Sequence, residues 1–141
     1  MITEDYVSFE TAKLLKEKGF DESTSMVYMP YGDLCKLHRY DSIRNSNYND
    51  ITKNYFEYTA PTIQMAMKWL REEHSIIIIV ESHIFNPQEA RTTRFRFSVW
   101  VEDNYEEPYF DDPEHQFDSF STYENTCDVA IKYCLENLVK V

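Results

Sequence analysis

The sequence predicts an α+β domain in which an antiparallel sheet of about four strands packs against three helices in two layers. Three stretches repeat apolar residues at helical spacing, and four others carry strand signals. These segments follow one another in the order α-β-β-α-β-β-α, which favours an antiparallel sheet covered by helices on one face. Residues 1–141 are expected to form a single domain, because a chain of this length buries a substantial core.

The first helix is expected between Tyr6 and Lys18, ahead of a glycine. Its apolar side chains form one stripe: Phe9, Ala12, Leu14 and Leu15. Gly19 occupies the position at which a helix commonly ends in the left-handed conformation, and Phe20 can fold back over the last turn. This glycine is therefore interpreted as structural.

A strand, a turn and a second strand are predicted next, at Met26–Met29, Pro30–Asp33 and Leu34–His38. The polar stretch Asp41–Asn54 shows no sustained period and is predicted to be a loop. A second helix is expected from Pro61, placed at its first position, to His74. Its apolar face is made of four residues: Ile63, Ala66, Met67 and Leu70.

The second half of the chain begins with Ser75–Phe85, which is rich in β-branched residues, and Ile76–Val80 within it is predicted to be a central strand. Asn86–Gln88 breaks this stretch. Residues 93–101 alternate strictly, so that Phe95 and Phe97 share a buried face, whereas Arg94, Arg96 and Trp100 share the opposite face. A capping box starting at Ser121 predicts a terminal helix. One face of that helix carries Tyr123, Cys127, Ala130, Ile131, Cys134 and Leu138.

Composition excludes several classes of function. The chain has only two glycines, whereas phosphate-cradling loops need two or three within a few residues. Its net charge of −11 repels nucleic-acid backbones and anionic membranes and favours a basic partner. The acidic start lacks a signal-peptide pattern, and the longest aliphatic run is too short to cross a bilayer. Three cysteines do not make a disulfide framework, so a cytoplasmic protein with free thiols is predicted.

Four segments, at 7–20, 60–62 with 64–72, 123–124 and 130–138, together resemble a family of short uncharacterised proteins from bacterial, phage and mobile-element genomes. They cover roughly a third of the chain and concentrate in the predicted helices. The resemblance implies membership of that family. It implies no activity, cofactor or catalytic residue, because fold-level likeness does not carry function.

No catalytic motif, cofactor site or metal site is predicted. Cys35 and His38 have the spacing of half a zinc site, but the other half is missing and a strand would point them to opposite faces. Cys127 and Cys134 lie two helical turns apart and are interpreted as small buried side chains. The four histidines occur in separate contexts, so a cysteine nucleophile beside a base is not indicated.

An acidic loop, defined as Glu102–Asp118, holds eight carboxylates and no Lys or Arg. Asp111 and Asp112 could chelate a divalent ion, but the spacing departs from the EF-hand pattern. Acids interleaved with Tyr105 and Tyr109 could instead imitate a nucleic-acid backbone and occupy a basic groove on a partner.

Tyrosine is unusually frequent, at 11 residues, and between Tyr40 and Tyr58 it is mixed with Asn and Ser, as in adaptable protein-binding surfaces. The leading hypothesis is a non-enzymatic module that binds a protein partner, with a homodimer left open. The alternatives are an enzyme with a dispersed active site and a nucleic-acid binder using the arginine face. The candidate partner-binding residues are Tyr48, Tyr55, Tyr58, Arg94, Arg96, Trp100, Tyr105, Tyr109, Asp111 and Asp112.

Overall fold

The computed structural model describes residues 1–85, 92–102, 108, 110–111 and 122–140. The helices are α1 (Phe9–Glu17), α2 (Ile63–His74) and α3 (Tyr123–Asn137). The strands are β1 (Thr24–Tyr31), β2 (Leu34–Arg44), β3 (Asn47–Asp50), β4 (Tyr55–Thr59), β5 (Ile76–Phe85), β6 (Thr92–Val101) and β7 (Phe110–Asp111). The predicted α+β class is confirmed.

The strands divide between two antiparallel sheets rather than forming the one sheet that the sequence suggested. A four-stranded sheet has the order β2-β1-β4-β3, and a second sheet has the order β5-β6-β7. Three of the strands were not predicted: β3 lies in the segment expected to be a loop, β4 follows it, and β7 lies in the predicted acidic loop. Strands β3 and β4 do not show apolar-polar alternation, since β3 is mostly exposed and β4 carries a glutamate on its less apolar side.

The prediction of a central strand at Ile76–Val80 is wrong in position. Among the described residues β5 pairs only with β6 and forms an edge of the second sheet. Its aliphatic character has another cause, because α2 and α3 both pack against it. Ile76 is buried, whereas Ile79 on the opposite face is exposed. The alternation predicted for β6 is confirmed, with Phe97 and Val99 in the core.

The helix ends follow the local signals with two shifts. Gly19 has φ +98°, and the amides of Gly19 and Phe20 close a Schellman motif on the carbonyls of Lys16 and Leu15. The cap of α2 is Thr62, whose hydroxyl accepts from the Met65 amide, so the prediction that Pro61 starts the helix is wrong by two residues. The cap of α3 is Thr122, whereas the predicted capping box began at Ser121, outside the described residues.

One apolar core cluster joins the three helices to β5 and β6. Helix α3 is its centre, because it packs against both strands and against α1 and α2. Its inward side contributes Cys127, Ala130, Ile131, Cys134 and Leu135, all with no exposed surface. Tyr123, predicted on this side, is instead 38% exposed at the start of the helix. None of the helices among the described residues has the length and apolarity needed to cross a bilayer.

Strands β1 and β2 form a hairpin whose turn contains Gly32 at φ +61°. Pairing is regular from Tyr31 opposite Leu34 to Met26 opposite Arg39. The next pair, Thr24 with Arg44, leaves residues 40–43 of β2 as a bulge. The regular stretch of β2 is therefore limited to Leu34–Arg39.

Candidate functional site

The candidate residues separate into two groups on different sheets. Tyr48 and Tyr55 lie on β3 and β4, whereas Arg94, Arg96 and Trp100 lie on β6. Asp111 belongs to β7. Tyr105, Tyr109 and Asp112, and with them most of the predicted acidic loop, lie outside the described residues.

Tyr58 does not belong with the other two tyrosines. It is only 5% exposed, and its ring packs against Phe9 of α1, at 6.0 Å between centroids. Phe56 and Tyr28 contact the same Phe9 ring, so α1 covers this inner face of the four-stranded sheet. The sequence could not separate these residues, because two neighbours in a strand point to opposite faces only once the strand itself is recognised.

The outer face of the four-stranded sheet carries a group of tyrosines. Tyr48 pairs directly with Glu57 across the β3–β4 ladder, and Tyr55 lies two residues before Glu57, so the three share one face. Tyr31 shares it because Val27, four residues earlier in β1, pairs with Thr59 on the same face of β4, and Tyr40 reaches it from the bulge. We define the tyrosine surface as Tyr31, Tyr40, Tyr48 and Tyr55. Tyr31 is 65% and Tyr48 is 44% exposed, while the other two are half-buried.

Glu57 is the buried centre of this surface. Its carboxylate accepts hydrogen bonds from the hydroxyls of Ser46 and Tyr55, each at 2.8 Å, and from that of Tyr40 at 3.5 Å. The guanidinium of Arg44 lies 3.5 Å from the same carboxylate. The site thus unites residues of β2, the β2–β3 turn and β4, and a buried carboxylate with this many partners is a fixed point of the surface.

The network moves the two acidic groups away from neutral pH in opposite directions. Burial raises the pKa of Glu57, but the hydrogen bonds from Ser46 and Tyr55 and the charge of Arg44 outweigh it, so this pKa lies below its ordinary value. The hydrogen bond to Glu57 and burial raise the pKa of Tyr55 to about 12. At neutral pH Glu57 is therefore charged and Tyr55 is a neutral donor.

Cations stack on two of the tyrosines. The guanidinium of Arg44 lies 3.7 Å from the ring centroid of Tyr40, and the ammonium of Lys36 lies 5.0 Å from that of Tyr31. His38 packs edge-on against Tyr40. These contacts restrict the rotamers of half-exposed aromatic side chains and so preorganise the surface.

Sequence reasoning missed Glu57, Arg44, Ser46 and Tyr40 as members of a site. One signal was present: Tyr55, Glu57 and Thr59 alternate with Phe56 and Tyr58. This alternation favours a strand in which Glu57 lies on the same face as Tyr55. The contact with Arg44 has no local signal, because the two residues meet only through the sheet.

The second group, on β6, is built differently. Arg96 pairs with Glu81 across the strands at 3.0 Å, and both side chains are about half-exposed. The indole N–H of Trp100 donates to Ser98, next to a shallow cavity of about 110 Å³ that Ile79 also lines. Cross-strand pairing neutralises part of the positive charge on which the nucleic-acid alternative depended.

The cysteines and histidines that the structure describes are dispersed. Cys35 is exposed on β2, and His38, three residues on, points to the other face. Burial raises the pKa of Cys127 to about 11 and that of Cys134 to about 12, which keeps both as thiols. Within the described ranges no group of three or more His, Cys, Asp or Glu side chains could hold a metal ion.

Comparison of the chain with family models, with curated proteins and with solved structures returns no match.

Proposed function

We propose that the protein is a non-enzymatic interaction module of the cytoplasm that binds a protein partner through the tyrosine surface. The observation that carries the proposal is the arrangement of four tyrosines on one sheet face around the buried Glu57 carboxylate. Tyrosine supplies large amphipathic contact area at a low cost in conformational entropy, and it is enriched at protein interfaces. The family resemblance seen in the sequence is compatible with such a role and is itself a prediction.

The preorganisation of the surface supports binding. Tyr40 and Tyr55 are tied to Glu57, and Arg44 is held between Glu57 and the Tyr40 ring. Ordering flexible side chains at an interface costs roughly 0.5–1.5 kcal/mol for each one immobilised. Here that cost is met during folding, so a partner does not have to meet it again.

The titration of the same groups argues against catalysis at this place. A general acid or base works best when its pKa lies near the working pH. The pKa of Glu57 is lowered and that of Tyr55 is raised to about 12, so both groups are displaced from neutrality. The network therefore keeps Glu57 charged and Tyr55 neutral, and neither group has a pKa close to neutral pH.

Site-specific photocross-linking in the host cell tests the proposal. A photoreactive phenylalanine analogue replaces Tyr48, and a matched control replaces Met65 of α2, which is 37% exposed. We expect one predominant protein adduct from position 48 that position 65 does not form. Adducts of equal yield at the two positions, or none at position 48, would overturn the proposal.

Alanine variants then measure the contribution of the surface. We expect Tyr48→Ala to lower the affinity for the cross-linked partner by about ten-fold, as for a moderate interface hot spot. Tyr123→Ala is the matched control, since Tyr123 is also a half-exposed tyrosine but lies at the start of α3. An equal loss in both variants would mean that the partner does not use this sheet face.

A further inference from the structure

The edge strand β2 is the part of the interaction surface whose chemistry specifies a partner most closely. Among the described residues it is the longest strand, with eleven residues, and it ends the four-stranded sheet. Nine of its side chains are exposed, and the other two are half-buried. Alternate residues of an edge strand direct N–H and C=O groups away from the sheet, where an extended segment can pair with them.

The strand is basic in a chain that is strongly acidic. It contains Lys36, Arg39 and Arg44 against Asp41, a net charge of +2, whereas the whole chain carries −11. Arg44 is engaged with Glu57. Within the described part of the chain neither Lys36 nor Arg39 is in an ion pair. Lys36 stacks on the ring of Tyr31, and Arg39 donates to the hydroxyls of Ser25 and Tyr6.

We infer that the regular stretch of β2, Leu34–Arg39, binds an extended acidic segment of a partner protein by strand addition. The inference rests on the proposed function, since β2 borders the tyrosine surface. Six paired residues span about 20 Å. Lys36 and Arg39 are three residues apart and so lie on opposite faces of the strand. An added strand places an acid beside each of them when its own acids are three residues apart.

Charge also decides between this partner and a second copy of the chain. Each β2 strand carries a net charge of +2, so two of them side by side would repel each other, and a pair centred on Lys36 would place the two lysines directly opposite each other. Like charges opposite each other destabilise a strand pair, and an edge lysine is a common defence against copy-to-copy pairing. The bulge at residues 40–43 limits the available edge to Leu34–Arg39 for any added strand. An acidic strand avoids the charge repulsion.

Fluorescently labelled peptides test the inference on the whole protein. The probe is an octapeptide of valine and threonine with glutamate at its third and sixth positions. Its controls have lysine at those positions, or glutamate at the third and fifth positions. We expect the probe to bind at least about ten-fold more tightly than either control, since only the probe can pair with both cations. Equal binding of the lysine peptide would overturn the inference.

Two further changes locate the contact. The variant Lys36→Glu with Arg39→Glu should weaken probe binding about ten-fold or more, and Lys36→Glu alone should weaken it less. The control Lys13→Glu with Lys68→Glu makes the same charge change on α1 and α2 and should leave binding unchanged. Methylating alternate amide nitrogens of the probe removes its strand hydrogen bonds and should abolish binding. Retained binding in either test would show that the β2 edge is not the site.

The remaining outcomes separate the two proposals. If position 48 cross-links a partner but the probe does not bind, the strand-addition inference fails and the tyrosine surface stands. If the probe binds at β2 while position 48 gives no adduct, the inference stands and the tyrosine surface is not the interface. Sedimentation of the protein alone reports on the second-copy alternative: a dimer of the wild type that is lost in Lys36→Glu with Arg39→Glu would overturn the choice of partner.

Discussion

The helical core and the four-stranded sheet are stabilised in different ways. The core cluster joins α1, α2 and α3 to β5 and β6 with side chains such as Leu15, Leu70 and Leu135, which have no exposed surface. The sheet buries few apolar side chains, and its outer face is fixed by the polar network around Glu57. A region that contributes little apolar burial can change its surface at low cost to stability, so the sheet is the part free to carry recognition.

Helix α1 connects the two regions. Its Leu15 enters the core, while Phe9 packs on the inner face of the sheet. At its last turn the buried Lys16 donates to the Phe20 carbonyl at 2.9 Å and to the amide oxygen of Asn45 in the β2–β3 turn. Burial lowers the pKa of this lysine, although the nearby Asp21 opposes the shift. Helix α1 thus attaches the sheet to the core.

The largest expected effect on stability comes from truncating a leucine, which we compare between the core and the sheet. Leu70→Ala removes a fully buried side chain from the core and should lower the free energy of unfolding by about 3–5 kcal/mol, because it leaves a cavity. Leu34→Ala makes the same chemical change on β2, where the side chain is 72% exposed, and should cost less than about 0.5 kcal/mol. Urea denaturation measures both. Similar losses would show that the sheet contributes to stability as the core does.

The same difference explains what the sequence could predict. The helices and the β5–β6 pair were found because their buried faces repeat apolar residues, and because Gly19 marks a helix end. Strand β4 was missed because its two faces are aromatic and acidic, without an apolar-polar contrast. The division into two sheets depends on pairing Val27 with Thr59, a long-range contact that no local pattern contains.

Only part of the candidate site was predicted, because the rest of it also depends on long-range strand pairing. Tyr48 and Tyr55 stood out by composition, but the burial of Tyr58 and the central place of Glu57 depend on the register of β4. A lone glutamate in a polar stretch resembles any solvent-facing acid. Its partner Arg44 lies thirteen positions earlier and reaches it only when β2 and β4 fold onto the same sheet.

The second expected effect compares two glutamates that pair with arginine. Glu57→Gln removes a buried charge, leaves Arg44 without its counter-ion and weakens the bonds from Ser46 and Tyr55, so it should cost about 2 kcal/mol. Glu81→Gln breaks an ion pair in which both side chains are about half-exposed and should cost less than about 1 kcal/mol. Thermal and urea unfolding measure both variants. Equal costs would mean that the Glu57 network adds no more than a surface pair.

The pH dependence of that difference follows from the lowered pKa of Glu57, whose ordinary value is 4.5. Above the ordinary value the carboxylate is charged in both the folded and the unfolded protein, and its stabilising contribution is complete. As the pH falls through the lowered folded-state pKa, the carboxylate takes up a proton and the contribution is lost. The stability gap between the wild type and Glu57→Gln should therefore be constant above pH 4.5 and shrink below it. A gap that persists in acid would assign it to packing and not to charge.

The smallest expected effect compares substitutions at two glycines, Gly19 at the end of α1 and Gly32 in the turn between β1 and β2. A Cβ would meet nothing within 4 Å at Gly19 or at Gly32, so the cost of substitution comes from the backbone alone. Alanine should cost about 1 kcal/mol at either position. Asparagine tolerates φ near +57°, so Gly32→Asn, at φ +61°, should stay within about 0.5 kcal/mol of the wild type. Gly19→Asn, at φ +98°, lies outside that region and should cost about 1 kcal/mol, measured by thermal unfolding. If Gly32→Asn were the costlier change, the hairpin turn would constrain the fold more tightly than the end of α1, and the sheet could not be the more tolerant region.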